Sequence, residues 1–328
     1  MARSGTSIFA DPGDYQANFR GKGINLVFTG PGTFEARLTW LELSQLHLLQ
    51  AEENLPRIAY TSLPPTRVYI SFPANSHSHP MWGGIELRFG TIILHDLGGR
   101  SHERTSGPNC WGFISVAPEY LAASSNAIIE RQLVPPATGR VLRPPRSATA
   151  HLLRLFAKAC HLAKHKPEII AHPEVARAVE QELLRVLIHC LSADAALENL
   201  STRRQDARII AKFEDALIAY IESQVSMSQL AAAVGVPERT LKRCCAQILG
   251  TSPSRYLRLR RLNLVRSELR RADPATASVT EIAQRFQFSE PKRFAGAYRR
   301  LFGELPATTL GALRSRFRDE NPPKLHSA

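Results

Sequence analysis

Ten polar or charged residues near the C-terminal end have side chains suited to binding a nucleic acid. An arginine guanidinium can bond guanine through two parallel hydrogen bonds, and a lysine ammonium can reach guanine or a phosphate. Side chains of this kind bind base edges and phosphates when one face of a helix presents them together. The first group is Glu238, Arg239, Lys242 and Arg243, and the second is Ser289, Glu290, Lys292, Arg293, Arg299 and Arg300.

Positive charge is concentrated in the same part of the chain. The 328 residues carry a formal net charge of +13, from 42 Lys and Arg against 29 Asp and Glu. Residues 201–328 hold 23 of the basic and 12 of the acidic residues, so nearly all of the excess lies there. Clustered cations bind a phosphate backbone because they release its condensed counterions. A basic surface that only keeps the protein in solution is the alternative.

The first group of polar residues follows a short apolar helix and a tight turn. Ser226 or Ser228 can cap the short helix. Gly235 supplies the turn, because glycine accepts a positive φ, and Pro237 begins the next helix. Leu241 then turns into the core, which leaves the first group exposed.

The second group repeats this arrangement. Thr280 and Glu281 open a short helix, and Ser289 is the predicted N-cap of the next one. Pro291 lies in the first turn of that helix, where its missing N–H is harmless, and Phe294 faces inward. The cations of the second group therefore face outward.

One helix is predicted between the two units, over PSRYLRLRRLNLVRSELRRA. Its length is about 28 Å at 1.5 Å per residue. A turn of B-DNA is about 34 Å long, so the two units are expected to read successive major-groove segments. Compact three-helix packing without DNA binding is the alternative for either unit alone. Two copies, a rigid spacer and the local charge together favour DNA.

These segments resemble the AraC/XylS family of bacterial transcription regulators. The resemblance lies in LAAAVGVPERTLKR, GTSPSRYL, RLRRLNLVRSEL and EIAQRFQFSEPKRFAGAYRRLFGELP, and it covers residues 207–317. It implies base-reading positions in the first recognition helix at Arg239, Lys242 and Arg243. In the second recognition helix the implied positions are Glu290, Pro291, Lys292 and Gly296.

Three positions depart from the family pattern. Pro237 replaces the usual capping serine, Cys245 the usual core aromatic, and Gln287 the usual glycine. We expect Gln287 to adopt a turn geometry that glycine accepts more easily. Because Pro291 and Gly296 offer little for hydrogen bonding, we expect the second unit to anchor phosphates more than it reads bases.

Residues 1–145 are predicted to be a β-rich domain. Short runs of alternating character recur between Gly- and Pro-containing turns, which is typical of a sandwich, barrel or jelly roll. The runs are INLVFTG, FEARLTWLEL, RVYISFP, IELRFGTIILHDL and WGFISVAP. Two amphipathic helices follow, over about 148–164 and from Pro173. They pack on the β domain, on each other, or on a second subunit.

The expected fold class is α+β, with three segments. Residues 1–145 form the β-rich domain, which the resemblance makes cupin-like and assigns to effector binding or dimerisation. Residues 146–200 form a helical packing or dimerisation segment, and residues 192–206 read as a polar linker. Residues 201–328 form an all-α domain with two helix-turn-helix units.

The resemblance implies a cytoplasmic, homodimeric regulator of transcription that binds double-stranded DNA in a sequence-specific way. It implies an activator that recruits RNA polymerase under control of a small molecule or partner at the N-terminal domain. No apolar run approaches the length of a membrane span. The five cysteines lack framework spacing, which suits a reduced compartment, and Cys110 is expected to be a buried, inert thiol.

Two other classes of function stay open. His77, His79 and Glu86 loosely echo a cupin metal set, so a metal-binding or enzymatic β domain joined to a DNA-targeting module is one alternative. Flanking Pro, Ser and Asn favour exposed loop histidines instead. We therefore predict no metal, no cofactor and no catalytic residues. The other alternative is a DNA-compacting protein with little sequence preference.

Overall fold

The computed structural model describes residues 2–19, 23–77, 79–192 and 201–311. The described residues form two compact units, one within 1–26 and 34–207 and the other within 27–33 and 208–328. The first is rich in β-structure and the second is largely helical, so the predicted α+β class is confirmed.

The strands lie in two sheets. In the seven-stranded sheet the order is β1-β3-β4-β11-β6-β9-β12, and in the five-stranded sheet it is β2-β5-β10-β7-β8. Neighbouring strands of the seven-stranded sheet are antiparallel, and so are the pairs β5 with β10, β10 with β7 and β7 with β8. The bounds are β1 Arg3–Phe9, β2 Ile24–Phe28, β3 Ala36–Glu42, β4 His47–Glu53, β5 Arg57–Ser62, β6 Val68–Pro73, β7 Met81–Trp82, β8 Ile85–Glu86, β9 Ile92–Leu94, β10 Arg100–Arg104, β11 Asn109–Val116 and β12 Arg140–Leu142.

Helices both accompany the sheets and build the second unit. Their bounds are α1 Pro12–Ala17, α2 Pro118–Ile129, α3 Arg146–His165, α4 Pro167–Ala171, α5 Pro173–Ser192, α6 Ser201–Tyr220, α7 Met227–Val234, α8 Glu238–Ile248, α9 Pro253–Leu269, α10 Val279–Arg285 and α11 Pro291–Phe302.

The main core of the first unit lies between the seven-stranded sheet and the helices α3 and α5. Alternate residues of each strand point to this side, because successive side chains in a strand face opposite ways. Leu48 of β4 and Ile114 of β11 stand in register and are buried there. Phe156 of α3 and Leu187 of α5 belong to the same cluster. The two predicted amphipathic helices are therefore confirmed, and their apolar faces pack on the sheet and on each other.

A buried carboxylate joins the two sheets. The Glu53 side chain at the end of β4 is fully buried and accepts a hydrogen bond from the Tyr15 hydroxyl at 2.7 Å. Arg57 of β5 donates to it through Nε at 2.6 Å, and Trp111 of β11 donates through its indole N–H at 3.2 Å. Arg57 also pairs with Glu103 of β10 at 2.9 Å. Burial and the neighbouring carboxylate raise the pKa of Tyr15 well above its usual range.

The second unit contains a similar buried carboxylate. Glu214 of α6 is fully buried and accepts from the Tyr256 hydroxyl at 2.6 Å, and Arg260 of α9 completes the ion pair. Arg261 donates to the carbonyl oxygens of Ile221 and Ser223 at 2.9 and 2.6 Å, so it satisfies acceptors just beyond the end of α6. Helix α9 is therefore attached to α6 by two sets of charged hydrogen bonds.

Two predictions about helix bounds were wrong. The polar segment 192–206 is helical from Ser201, because Arg203, Arg204 and Gln205 are good helix formers even without an apolar stripe; residues 193–200 lie outside the described residues. Helix α9 ends at Leu269 after 17 residues. Its length is about 26 Å, slightly below the predicted value.

Removing the buried carboxylate of Glu214 tests its role in the second unit. We expect Glu214→Ala to lower the free energy of unfolding of this unit by about 3–5 kcal/mol, because it leaves the Arg260 guanidinium unpaired. Hydrogen exchange at the α6 and α9 amides measures the loss. Lys212→Ala, which shortens an exposed side chain of the same helix, is the control and should change stability by less than about 0.5 kcal/mol. Equal protection in both variants would contradict the assignment.

Candidate nucleic-acid interface

The first helix-turn-helix unit is built by α7 and α8. Ser226 caps α7 in a capping box: its hydroxyl accepts from the Gln229 N–H at 3.2 Å, and its own N–H donates to the Gln229 side chain at 2.9 Å. Gly235 follows α7 with φ of 78°, in the left-handed region that glycine favours. The Val236 N–H then donates to the Ala231 carbonyl at 3.1 Å, which closes the turn.

The second unit, α10 and α11, makes the same turn with a different residue. Gln287 has φ of 67°, and the Phe288 N–H donates to the Ala283 carbonyl at 3.0 Å. The prediction that Gln287 takes a conformation better suited to glycine is confirmed. Its side chain donates through Nε2 to the Glu222 carbonyl at 2.6 Å, which helps to offset the strained backbone.

The predicted N-cap of α11 is wrong by one residue. Glu290 and not Ser289 is the N-cap of α11; its backbone is extended and it makes no side-chain cap. The reason is Pro291, which disfavours the helical conformation in the residue before it. Ser289 is exposed instead. In α10 the cap is Ser278, and Thr280 and Glu281 lie inside the first turn.

The two recognition helices α8 and α11 bury the same positions. Counted from the first helical residue, positions four, seven, eight and eleven are buried in both, so the same face of each helix is turned to solvent. These residues are Leu241, Cys244, Cys245 and Ile248 in α8, and Phe294, Ala297, Tyr298 and Leu301 in α11. Arg239 and Lys292 therefore occupy the same place, the second residue of each helix.

On α8 the predicted cations differ in how they are held. The Lys242 ammonium lies 3.3 Å from Glu238, and Arg243 donates to Gln247 at 3.0 Å. Arg239 is exposed, and its side chain makes no hydrogen bond or ion pair with any described residue. Arg239 is thus the cation of α8 that needs to break no contact before it binds.

On α11 the exposed charge lies at the two ends. Arg293 pairs with Glu290 at 2.9 Å, both on the surface. The side chains of Lys292, Arg299 and Arg300 are exposed and have no ion pair among the described residues. The middle of the exposed face holds Ala295 and Gly296, whose side chains cannot hydrogen-bond.

Residues 230–312 match the family model described as a helix-turn-helix domain. The "Probable thc operon regulatory protein" of Rhodococcus erythropolis is 35% identical over 145 residues, which are 44% of this chain and 44% of that protein. The "XylDLEGF operon transcriptional activator 3" of Pseudomonas putida is 27% identical over 253 residues, 74% of this chain and 72% of the relative. The "XylDLEGF operon transcriptional activator 2" of Pseudomonas putida is 34% identical over 107 residues, 33% of this chain and 68% of the relative. The chain belongs to the AraC/XylS family of transcription regulators.

Several basic residues of this AraC/XylS protein are used inside the DNA-binding unit. Besides Arg260 and Arg261, Arg266 pairs with Glu304 at 3.1 Å, and Arg285 pairs with Glu268 at 2.8 Å. Sequence reasoning counted all of these cations as available charge. No local sequence signal separates them, because each pairs with a residue on another part of the unit.

The histidines considered as metal ligands lie on the surface of the first unit. His77 is exposed, and His79 Nδ1 lies 3.9 Å from Glu86 Oε1 with both side chains about half exposed. Among the described residues, no three His, Cys, Asp or Glu side chains are arranged to hold a metal.

Cys110 is buried, as predicted, and burial raises the pKa of its thiol to about 11. It is therefore a thiol and not a reactive thiolate at neutral pH.

None of the described helices is long and apolar enough to span a membrane.

The same substitution at two glycines should have opposite effects on stability. Gly235→Ala should lower the free energy of unfolding by about 1–2 kcal/mol, because the residue has a positive φ although a Cβ would meet no other atom. Gly296→Ala, inside α11 with ordinary φ, should raise it by up to about 1 kcal/mol. Urea denaturation followed by circular dichroism measures both. The same sign for the two variants would contradict the role given to the Gly235 turn.

Proposed function

We propose that this chain is a transcription regulator that binds double-stranded DNA in a sequence-specific way, with α8 and α11 as its two reading helices. The observation that carries this proposal is the shared burial pattern of the two helices. It presents a cation from the same position of each one, Arg239 and Lys292. A helix in the major groove contacts base edges with its N-terminal residues, which is where both cations lie.

Helix α8 is the main base reader. Arg239, Lys242 and Arg243 can each donate to guanine, and Arg in a bidentate manner. Lys242 must leave Glu238, and Arg243 must leave Gln247, but such exposed contacts contribute at most about 1 kcal/mol each. Freed from Lys242, Glu238 can accept from the amino group of a cytosine.

Helix α11 mainly binds the sugar–phosphate backbone of the DNA. Arg293, Arg299 and Arg300 contact phosphates, with Ser289 and Glu290 at the start of the helix beside them, and Lys292 can reach guanine or a phosphate. Ala295 and Gly296 leave no side-chain hydrogen bond for a base. The methyl group of Ala295 can still contact a thymine methyl, which is a weaker form of readout.

The N-terminal unit is the part of the chain that responds to an effector. We assign it a small-molecule or protein effector and a role in forming a homodimer in the cytoplasm. We infer that the regulator activates transcription by recruiting RNA polymerase. The support is the similarity to regulators whose names describe transcriptional activators, including one aligned over 74% of this chain. The alignment with the Rhodococcus regulator spans less than half of that relative.

Selection of genomic fragments with the purified protein at physiological salt tests the proposal. We expect recovery of a motif with two blocks about 10 base pairs apart, one turn of the duplex. The block under α8 should be the more strictly specified. Recovery of unselective, salt-labile DNA would contradict the proposal and favour the DNA-compacting alternative.

Substitutions in the two reading helices should differ in kind. Arg239→Ala should cost about 1–3 kcal/mol of binding at the selected site and relax the preference at one base pair. Arg299→Ala should weaken all sequences about equally and reduce the salt dependence by about one phosphate contact. Fluorescence anisotropy on the selected site and on its single-base variants measures both. A uniform loss for Arg239→Ala would contradict its assignment as a base reader.

A further inference from the structure

A cavity of about 550 Å³, with mostly polar residues among those that line it, lies at one end of the seven-stranded sheet in the N-terminal unit. Three neighbouring strands form its wall, where β3 begins, β4 ends and β11 begins. Arg37, Glu52 and Cys110 stand in register in one row, and the next row contains Asn109. The volume falls within the roughly 300–1,000 Å³ range of small-molecule sites.

The wall contains buried polar groups that have no partner among the described residues. Asn109 is only 4% exposed, and neither its carboxamide nitrogen nor its oxygen makes a hydrogen bond. The Nε atom of Arg37 is buried and unpaired as well. Buried polar groups are normally hydrogen-bonded, so this wall favours a guest that offers both a donor and an acceptor.

The charge of the wall favours a cation. The carboxylates of Glu35, Glu52 and Glu53 line the cavity together with one guanidinium, that of Arg37. Arg37 neutralises Glu52 at 3.0 Å, and Glu53 is paired with Arg57. Glu35 is exposed and has no ion pair among the described residues. An anion in the cavity would face this unbalanced carboxylate, whereas an ammonium group would pair with it.

We propose that this cavity binds a small organic cation that also carries a carboxamide or hydroxyl group. The cationic group lies beside Glu35, and the hydrogen-bonding group lies toward Asn109. The proposal that the cation binds depends only on the cavity. The further step, that the bound cation controls DNA binding, rests on the proposed function.

Titration calorimetry of the full chain with three probes of similar length tests the proposal. Lysinamide carries ammonium groups and a carboxamide, glutaramide is neutral, and glutarate is a dianion. We expect lysinamide to bind with a Kd in the millimolar range or tighter, glutaramide to bind more weakly, and glutarate not to bind. No heat of binding with lysinamide, or equal affinity for glutarate, would overturn the assignment.

A matched pair of variants locates the bound probe. Glu35→Gln should weaken lysinamide binding by about tenfold or more, because it removes the charge and keeps the shape. Glu119→Gln changes an exposed acid on α2 outside the cavity and should leave the affinity unchanged. Equal affinities of the two variants would overturn the site.

The calorimetric titration is done without DNA, so its outcome is independent of the proposed function. If the cavity binds lysinamide but genomic selection recovers no motif, the site stands and the regulatory role fails. If selection succeeds and no probe binds, the cavity assignment fails and the DNA-binding function stands.

Discussion

In each unit of this protein a buried carboxylate is held by charged hydrogen bonds from other elements, Glu53 in the first unit and Glu214 in the second. Transfer of a carboxylate out of water costs several kcal/mol, and only converging charged donors offset that cost. Glu53 obtains them from Tyr15, Arg57 and Trp111, and Glu214 obtains them from Tyr256 and Arg260. The donors to Glu53 lie on α1, β5 and β11, so that carboxylate fixes three elements around β4, whereas both donors to Glu214 lie on α9, so that carboxylate fixes α9 against α6.

In the second unit this pairing positions the helices that we propose to bind DNA. Glu214 and the contacts of Arg261 attach α9 to α6, and α9 connects the two helix-turn-helix units. Because these arginines already pair with groups inside the unit, they are not available to bind a phosphate. Our proposal for the DNA-binding surface therefore rests on cations without described partners, such as Arg239 and Lys292, and not on the net charge of +13.

The turns between paired helices are a second constraint. Both need a residue in the left-handed region, and the chain meets this need with Gly235 in one unit and Gln287 in the other. The positive φ costs more conformational energy for Gln287 than for a glycine. Its side chain, however, donates a hydrogen bond to the Glu222 carbonyl, which offsets part of that cost. Each turn fixes how the following helix packs. The same numbered positions are therefore buried in α8 and α11, and the same face of each helix is exposed.

Local patterns were sufficient for much of the fold. The strands β3, β6 and β11 and the helices α3 and α5 follow from apolar spacing, because the period of burial differs between strand and helix. The helix-turn-helix units follow from turn residues near apolar stripes. The strands β1, β4, β5 and β10 and the helix α2 were not predicted. The cap of α11 was misplaced, since the effect of Pro291 on Glu290 outweighed the capping preference of Ser289.

The sequence by itself determined the class of the second unit, the charged helix positions that we propose for DNA binding and the need for an unusual turn at Gln287, all through patterns among near neighbours in the chain. Only the tertiary structure decided which cations are free. The partners Glu214 and Arg260, or Arg266 and Glu304, lie far apart in sequence. The cavity beside Asn109 likewise exists only because sheet pairing brings β3, β4 and β11 together. Long-range pairing of this kind leaves no periodic signal in any single segment.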